Sequence, residues 1–189
     1  MLELSKSDLF QREDAIAPLC DSFIRGREAT LKEEIRVSCS HKRMLLVASA
    51  GGHWIELCRL SPAFSDFDCH YVSTCGGLAP PTGARKVSQI ADGSRDAMHF
   101  LFRSATELWR IMREFRPDIV LSTGAAPGAV ALLIGRILGA RTIWIDSIAN
   151  SDETSLSGRW ARHFADLSLT QWRHLAQSDP LLTYFGQVL

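Results

Sequence analysis

From residue 42 onward, strand-length apolar runs alternate with helix-length segments, and this alternation constrains the fold more than any other feature of the chain. Residues 44–48, 67–73, 118–122, 142–146 and 167–170 read as strands, and 86–90 as a shorter one. Between them, 54–60, 95–115, 129–138 and 156–164 read as helices. The longest helical signal is carried by Leu101, Ala105, Leu108, Met112 and Phe115, which step by three and four and share one face. Pro117 ends that segment and Gly139 stops the helix at 129–138. Repeated strand–helix units imply an α/β fold, a Rossmann-like parallel sheet with helices on both faces. Such sheets bind ligands beyond the C-terminal ends of their strands, where the strand order reverses. No regular element is expected in 171–189.

Residues 1–41 differ. They carry charges of both signs and few strand signals. Ile16, Leu19, Cys20, Phe23 and Ile24 follow helical spacing over 14–25, with Pro18 in the first turn or at a break. This reads as a docking helix or a frayed tail. Asp14 and Asp21 dilute the basic face that a membrane-surface helix carries. The chain thus divides into an extension, 1–41, and one α/β domain, 42–189.

Composition excludes several classes. Lys+Arg and Asp+Glu are each 21, so the basic excess of a general nucleic-acid binder is missing. None of the five cysteines forms Cys-x-x-Cys, and no His-x-x-x-His accompanies them, so neither a metal site nor a cofactor is expected. Their odd number, with no secretory leader, points to the reducing cytoplasm and to thiols buried as small apolar groups. No run of about 18 apolar residues exists to span a membrane.

The chemistry is expected at two small-residue turns. Ser49-Ala50-Gly51-Gly52-His53 joins the first strand to its helix. A strand, a small turn and a helix start present free backbone N–H groups to an anion such as phosphate. The turn lacks the third glycine of a dinucleotide fingerprint and the Gly-Lys-Ser/Thr of a P-loop. Close strand–helix packing also calls for glycine here. His53 at the helix start suits donation to a phosphate oxygen or service as a base. Glu56, three residues on, caps the turn, offsets charge on His53, or binds a sugar hydroxyl. Thr123-Gly124-Ala125-Ala126-Pro127-Gly128 is the second turn, with small residues that admit a ligand to the backbone. Asp146, at the end of a strand, is either a ligand-facing acceptor or a helix cap. Arg159 is a surface residue or a charge partner for a phosphate.

These motifs come in an order that resembles a known family. The blocks are Gly51-Gly52-His53-x-x-Glu56-Leu57, Arg116-Pro117-Asp118 through Gly128, Ile145-Asp146-Ser147, Ser155-Leu156-Ser157-Gly158-Arg159, Ala165-Asp166-Leu167 and Gln171-Trp172, with Tyr184-Phe185-Gly186 near the end. Over about 42–189 the chain is similar to PssD-type polysaccharide biosynthesis proteins. Their eukaryotic relative is the membrane-recruiting subunit of the dolichol-pathway N-acetylglucosaminyltransferase.

The resemblance implies the N-terminal half of a MurG-like GT-B glycosyltransferase, with a separate partner protein supplying the half that binds the nucleotide sugar. It implies that Gly51, Gly52 and His53 meet the diphosphate of a polyprenyl-linked glycan acceptor, that Thr123, Gly124, Ala126, Pro127 and Gly128 match the family's second turn, and that the chain supplies one wall of the active cleft. Glu56, Ser147 and Arg159 complete the expected substrate-binding set. Asp146 stands where MurG-like enzymes place an acidic residue near the acceptor sugar, although family members commonly carry Glu there. His53 is the first choice of catalytic base and Asp146 the second.

The expected function is a subunit of a two-component glycosyltransferase, cytoplasmic and peripheral to the inner membrane. The alternative is a non-catalytic scaffold that docks the partner on the membrane. A nucleotide-sugar epimerase fragment is a weaker third reading. The eukaryotic relative has an N-terminal transmembrane helix, which residues 1–41 do not supply. Membrane attachment then falls to the partner, to the basic side of 95–116, or to Phe100, Phe102 and Trp109, which otherwise belong to the core.

Overall fold

The computed structural model describes residues 42–79, 81, 86–91 and 97–188. The extension, with its expected helix at 14–25 and with Cys20 and Cys39, lies outside the described residues. The strands are β1 (Arg43–Ala48), β2 (Asp68–Ser73), β3 (Lys86–Gln89), β4 (Ile119–Ser122), β5 (Arg141–Ile145), β6 (Leu167–Thr170) and β7 (Thr183–Tyr184). The helices are α1 (Gly52–Leu60), α2 (Ala97–Phe115), α3 (Ala125–Ile137), α4 (Leu156–Ala161) and α5 (Arg173–Ser178). A 3₁₀ turn, Ser61–Phe64, follows α1.

The sheet runs in the order β3-β2-β1-β4-β5-β6-β7, and every pairing is parallel. The chain therefore builds outward from β1 to β3, returns through α2, and builds outward the other way from β4. The order reverses between β1 and β4, so the crevice at their C-terminal ends is the place where a ligand is expected.

Alternation along the central strands splits the core into two layers. Leu45, Val47, Val120 and Trp144 face one layer with Leu108, Met112 and Leu132 from α2 and α3. Met44, Leu46, Ala48 and Leu121 face the other with Trp54 and Leu57 from α1. Small residues set α3 close to the sheet: a Cβ on Gly135 would lie 2.6 Å from Val120 Cγ2, and one on Gly128 would overlap the Ser122 hydroxyl.

Three expectations change. The helix expected at 129–138 starts at Ala125, so most of the second turn is helix. Pro127 fits because the first helical turn leaves its N–H groups unbonded. Residues 171–188 are not a tail: they form α5 and β7, and β7 extends the sheet. Of the described cysteines, Cys69 is buried but Cys75 is exposed.

Candidate functional site at the strand-order reversal

α1 and α3 start side by side at the crevice. Each has a glycine at its N-cap, Gly51 and Gly124, and neither has a side-chain cap or an acidic residue in its first turn. By contrast, α4 is capped by Ser155, whose side chain accepts from the Gly158 N–H. First-turn N–H groups of a helix lack intrahelical partners. Two such ends, with their positive dipole poles, converge where the strand order reverses. Gly51 takes φ +81° to turn from β1 into α1, a region that favours glycine. Ala125 takes φ +65° without being glycine. That is local strain of the kind that collects at functional turns.

Side chains tie the two turns together. His53 Nδ1 lies 3.0 Å from the Thr123 carbonyl oxygen, and the Thr123 hydroxyl donates to the His53 carbonyl at 2.8 Å. A carbonyl only accepts, so Nδ1 carries hydrogen, and the neutral ring keeps its lone pair on Nε2. The His53 side chain is 28% exposed, enough to meet a ligand. The Thr74 hydroxyl accepts from the Ala50 N–H, and Ser122 Oγ accepts from the Gly124 N–H. Those two donors are used internally; the first-turn N–H groups of α1 and α3, apart from Pro127, which has none, have no side-chain cap.

The expected site residues divide. Gly51, Gly52, His53, Thr123, Gly124 and Ala126 meet at the crevice, and Gly51, Gly52 and Ala126 are exposed. Pro127 and Gly128 are buried in the first turn of α3, with Gly128 against Ser122. Glu56 is buried and does not cap α1; its Oε1 accepts from Ser147 Oγ and from the Ile148 N–H, both at 2.9 Å. Arg159 pairs instead with the exposed Glu153, at 3.2 Å.

Asp146 is 2% exposed. Its Oδ2 accepts from the Ser155 N–H at 2.9 Å, and its Oδ1 from Ser155 Oγ at 2.7 Å and from Asn150 Nδ2 at 3.2 Å. Both oxygens thus close the loop 147–155 onto the start of α4. Gln171 and Trp172 hold the same loop from the far side: Gln171 Nε2 donates to the Asp146 carbonyl and Trp172 Nε1 to that of Ile148. Their adjacency in sequence gave no sign of this role. Among the described residues, no three His, Cys, Asp or Glu side chains converge on a metal position. A cavity of about 730 Å³ lies elsewhere, at the N-terminal ends of β1 and β2 and along β3, beside α2, lined in part by Arg43, His70 and Phe115.

The model of the family described as "Oligosaccharide biosynthesis protein Alg14 like" matches residues 82–188, more than half of the chain. The chain belongs to the Alg14-like family. It is 24% identical over 180 residues to the UDP-N-acetylglucosamine transferase subunit ALG14 of Mus musculus, covering 78% of this chain and 83% of that one. Against the Homo sapiens protein of the same name, identity is 23% over 201 residues, covering 88% of each. Among solved structures, Acinetobacter baumannii MurG superposes with a TM-score of 0.57 at 14% identity, over 68% of this chain and 41% of MurG. UDP-N-acetylglucosamine 2-epimerase from Rickettsia bellii gives 0.58 at 12% identity, over 78% of this chain and 45% of the epimerase. The Alg14-like chain therefore spans less than half of either structure. At these identities the likeness is one of fold: an α/β half of the kind found in GT-B enzymes.

Proposed function

We propose that this Alg14-like chain is the acceptor-side subunit of a two-component glycosyltransferase. It binds a polyprenyl-diphosphate-linked glycan while a donor-binding partner supplies the nucleotide sugar. The observation that carries this reading is the pinning of two uncapped helix N-termini together at the strand-order reversal by His53 and Thr123. An acceptor diphosphate fits the first-turn N–H groups of both helices. The acceptor hydroxyl then lies within reach of His53 Nε2, which takes its proton as the hydroxyl oxygen attacks the anomeric carbon. The bond from that carbon to the donor diphosphate breaks, and the electron pair leaves with the diphosphate on the partner's side.

The names of the relatives favour an N-acetylglucosamine donor, and the PssD-type resemblance favours a hexose or hexuronic acid on an undecaprenyl-linked glycan. Asp146, closed into the loop network, we read as holding that loop rather than as the base. Ser147 contributes through Glu56. Membrane contact at the cytoplasmic face suits the exposed Phe102 and Trp109 of α2.

The test is transfer by membranes of the native strain carrying His53→Ala, with the amount of variant protein matched to wild type. We expect transfer to fall by about a hundred-fold or more while the protein still accumulates and assembles. A scaffold reading, in which the His53–Thr123 bonds only brace the fold, predicts near-normal transfer once assembly is matched.

A further inference from the structure

Glu56 holds an unusual position for a carboxylate. Its side chain is 7% exposed, and its two oxygens are used unequally. Oε1 is anchored to Ser147 Oγ and the Ile148 N–H. Oε2 is fully buried and has no hydrogen-bond partner. A buried carboxylate oxygen without a donor is costly unless a positive charge answers it. Among the described residues, the ionisable group that approaches Oε2 is His53, whose Nδ1 lies 4.0 Å away.

We infer that Glu56 is a positioning residue for His53, set to stabilise the positive charge that the ring acquires during transfer. The inference rests on the reading of His53 as the base. In the resting state the Nδ1–H is given to the Thr123 carbonyl, and Nε2 is free to accept a proton. When the acceptor hydroxyl attacks, its proton goes to Nε2 and the ring becomes cationic, with Nδ1–H shared between the Thr123 carbonyl and Glu56 Oε2. The proton leaves to solvent after product departs, and the neutral ring returns. The carboxylate thus interacts more strongly with the transition state than with the ground state. Such an interaction acts on kcat and not on KM. The anchors on Ser147 and Ile148 make the geometry rigid, and they join α1 to the loop that Asp146, Gln171 and Trp172 hold.

Glu56→Gln separates charge from tether. The amide oxygen still accepts from Ser147 and Ile148, while the negative charge is gone. In native-strain membranes, we expect kcat per unit of variant protein to fall about ten-fold or more, with the KM for lipid-linked acceptor within about two-fold of wild type. Added to His53→Ala, Glu56→Gln should cost little more, because a residue acting through another loses its effect with it. Normal turnover by Glu56→Gln, or a full additional loss on top of His53→Ala, overturns the inference. Near-normal transfer by His53→Ala overturns the reading of His53 as base. A dead His53→Ala beside a normal Glu56→Gln leaves that reading standing and rejects only the role of Glu56. Should Glu56→Gln not fold, Glu56→Asp decides: it keeps the charge but draws it away from the ring, so a fall in kcat at an unchanged KM supports the inference and wild-type turnover rejects it.

Discussion

Gly124 leaves room for His53 across the strand-order reversal: a Cβ at residue 124 would overlap the imidazole at Cε1 and Nδ1. Gly124 also sits at φ +147°, a backbone conformation that side-chain-bearing residues rarely adopt. Gly124→Ala therefore carries two penalties, backbone strain and a displaced ring. We expect it to lower stability by about 1–3 kcal/mol. We also expect loss of transfer beyond what the lower stability explains, because the ring moves off the Thr123 carbonyl. Thermal unfolding and a transfer assay on matched protein measure the two effects separately. A variant with the wild-type midpoint and wild-type transfer would show that the ring does not need this space.

Asp146 makes the opposite prediction to a catalytic acid. Asp146→Ala leaves the Ser155 N–H and hydroxyl and the Asn150 amide without their acceptor. Losing the acceptor of buried donors costs about 1–3 kcal/mol, and more for a charged group. The expected result is a lower thermal midpoint with fast hydrogen exchange across 147–155, while Asp146→Asn, which keeps one acceptor oxygen, recovers part of the stability. A chemical role predicts instead that both variants keep the wild-type midpoint and lose transfer equally.

The parts of this architecture that were legible in the sequence are those with local signals. Met44 to Ala48 form one apolar run because a central parallel strand is buried on both faces. Gly51 and Gly124 mark turns that demand unusual φ. The parts that were not legible depend on distant partners or on very short elements. Glu56 meets Ser147 across 91 residues, and no spacing rule connects them. α5 has six residues and β7 two, too few to show a period. The second turn was read as longer than it is, because Pro127 and Gly128 count as breakers in sequence yet are tolerated in a first helical turn. The stepping of Leu108 and Met112 marked the buried face of α2, whereas Phe102 and Trp109 were left open between core and membrane contact, because an aromatic residue suits either place.

Alkaline stability should follow Cys69. Burial pushes its thiol from the ordinary 9.0 up to about 12, with the neighbouring Asp68 carboxylate adding to the rise. Burial also raises the Tyr71 hydroxyl. Above pH 9 the unfolded chain ionises its thiol while the folded chain holds the proton, so the unfolded state binds fewer protons and stability falls as pH rises. The contribution is whole below pH 9 and is lost progressively toward pH 12. Cys69→Ala should flatten the decline in this window, at the cost of a small cavity, with Tyr71 and Cys58, whose thiol burial also raises, supplying what slope remains. Denaturant midpoints for both proteins from pH 8 to 11 measure it, and parallel curves would reject the assignment.

The exposed aromatics of α2 set the last expectation. Phe102 is 74% exposed and Trp109 42% exposed. Seven residues apart, they lie on one side of the helix, about a quarter-turn from the side that packs Leu108 and Met112 into the core. Arg103, Arg110 and Arg113 stand on the same helix, and Arg103 is drawn toward Glu107 at 3.1 Å. Aromatic groups flanked by arginines suit an anionic membrane surface: the rings enter the headgroup boundary and the cations meet the lipid phosphates. Burying each ring contributes about 1.5–3 kcal/mol, so losing both should weaken binding by at least about a hundred-fold. The experiment is co-sedimentation of the full chain with vesicles of phosphatidylglycerol and phosphatidylethanolamine, comparing wild type with Phe102→Ser/Trp109→Ser. We expect the double variant to stay in the supernatant with an unchanged thermal midpoint, since neither ring contributes to the core. Raised salt should weaken wild-type binding only in part, because screening removes the arginine contribution and leaves the apolar one. Equal sedimentation of wild type and variant would reject this face as a membrane contact.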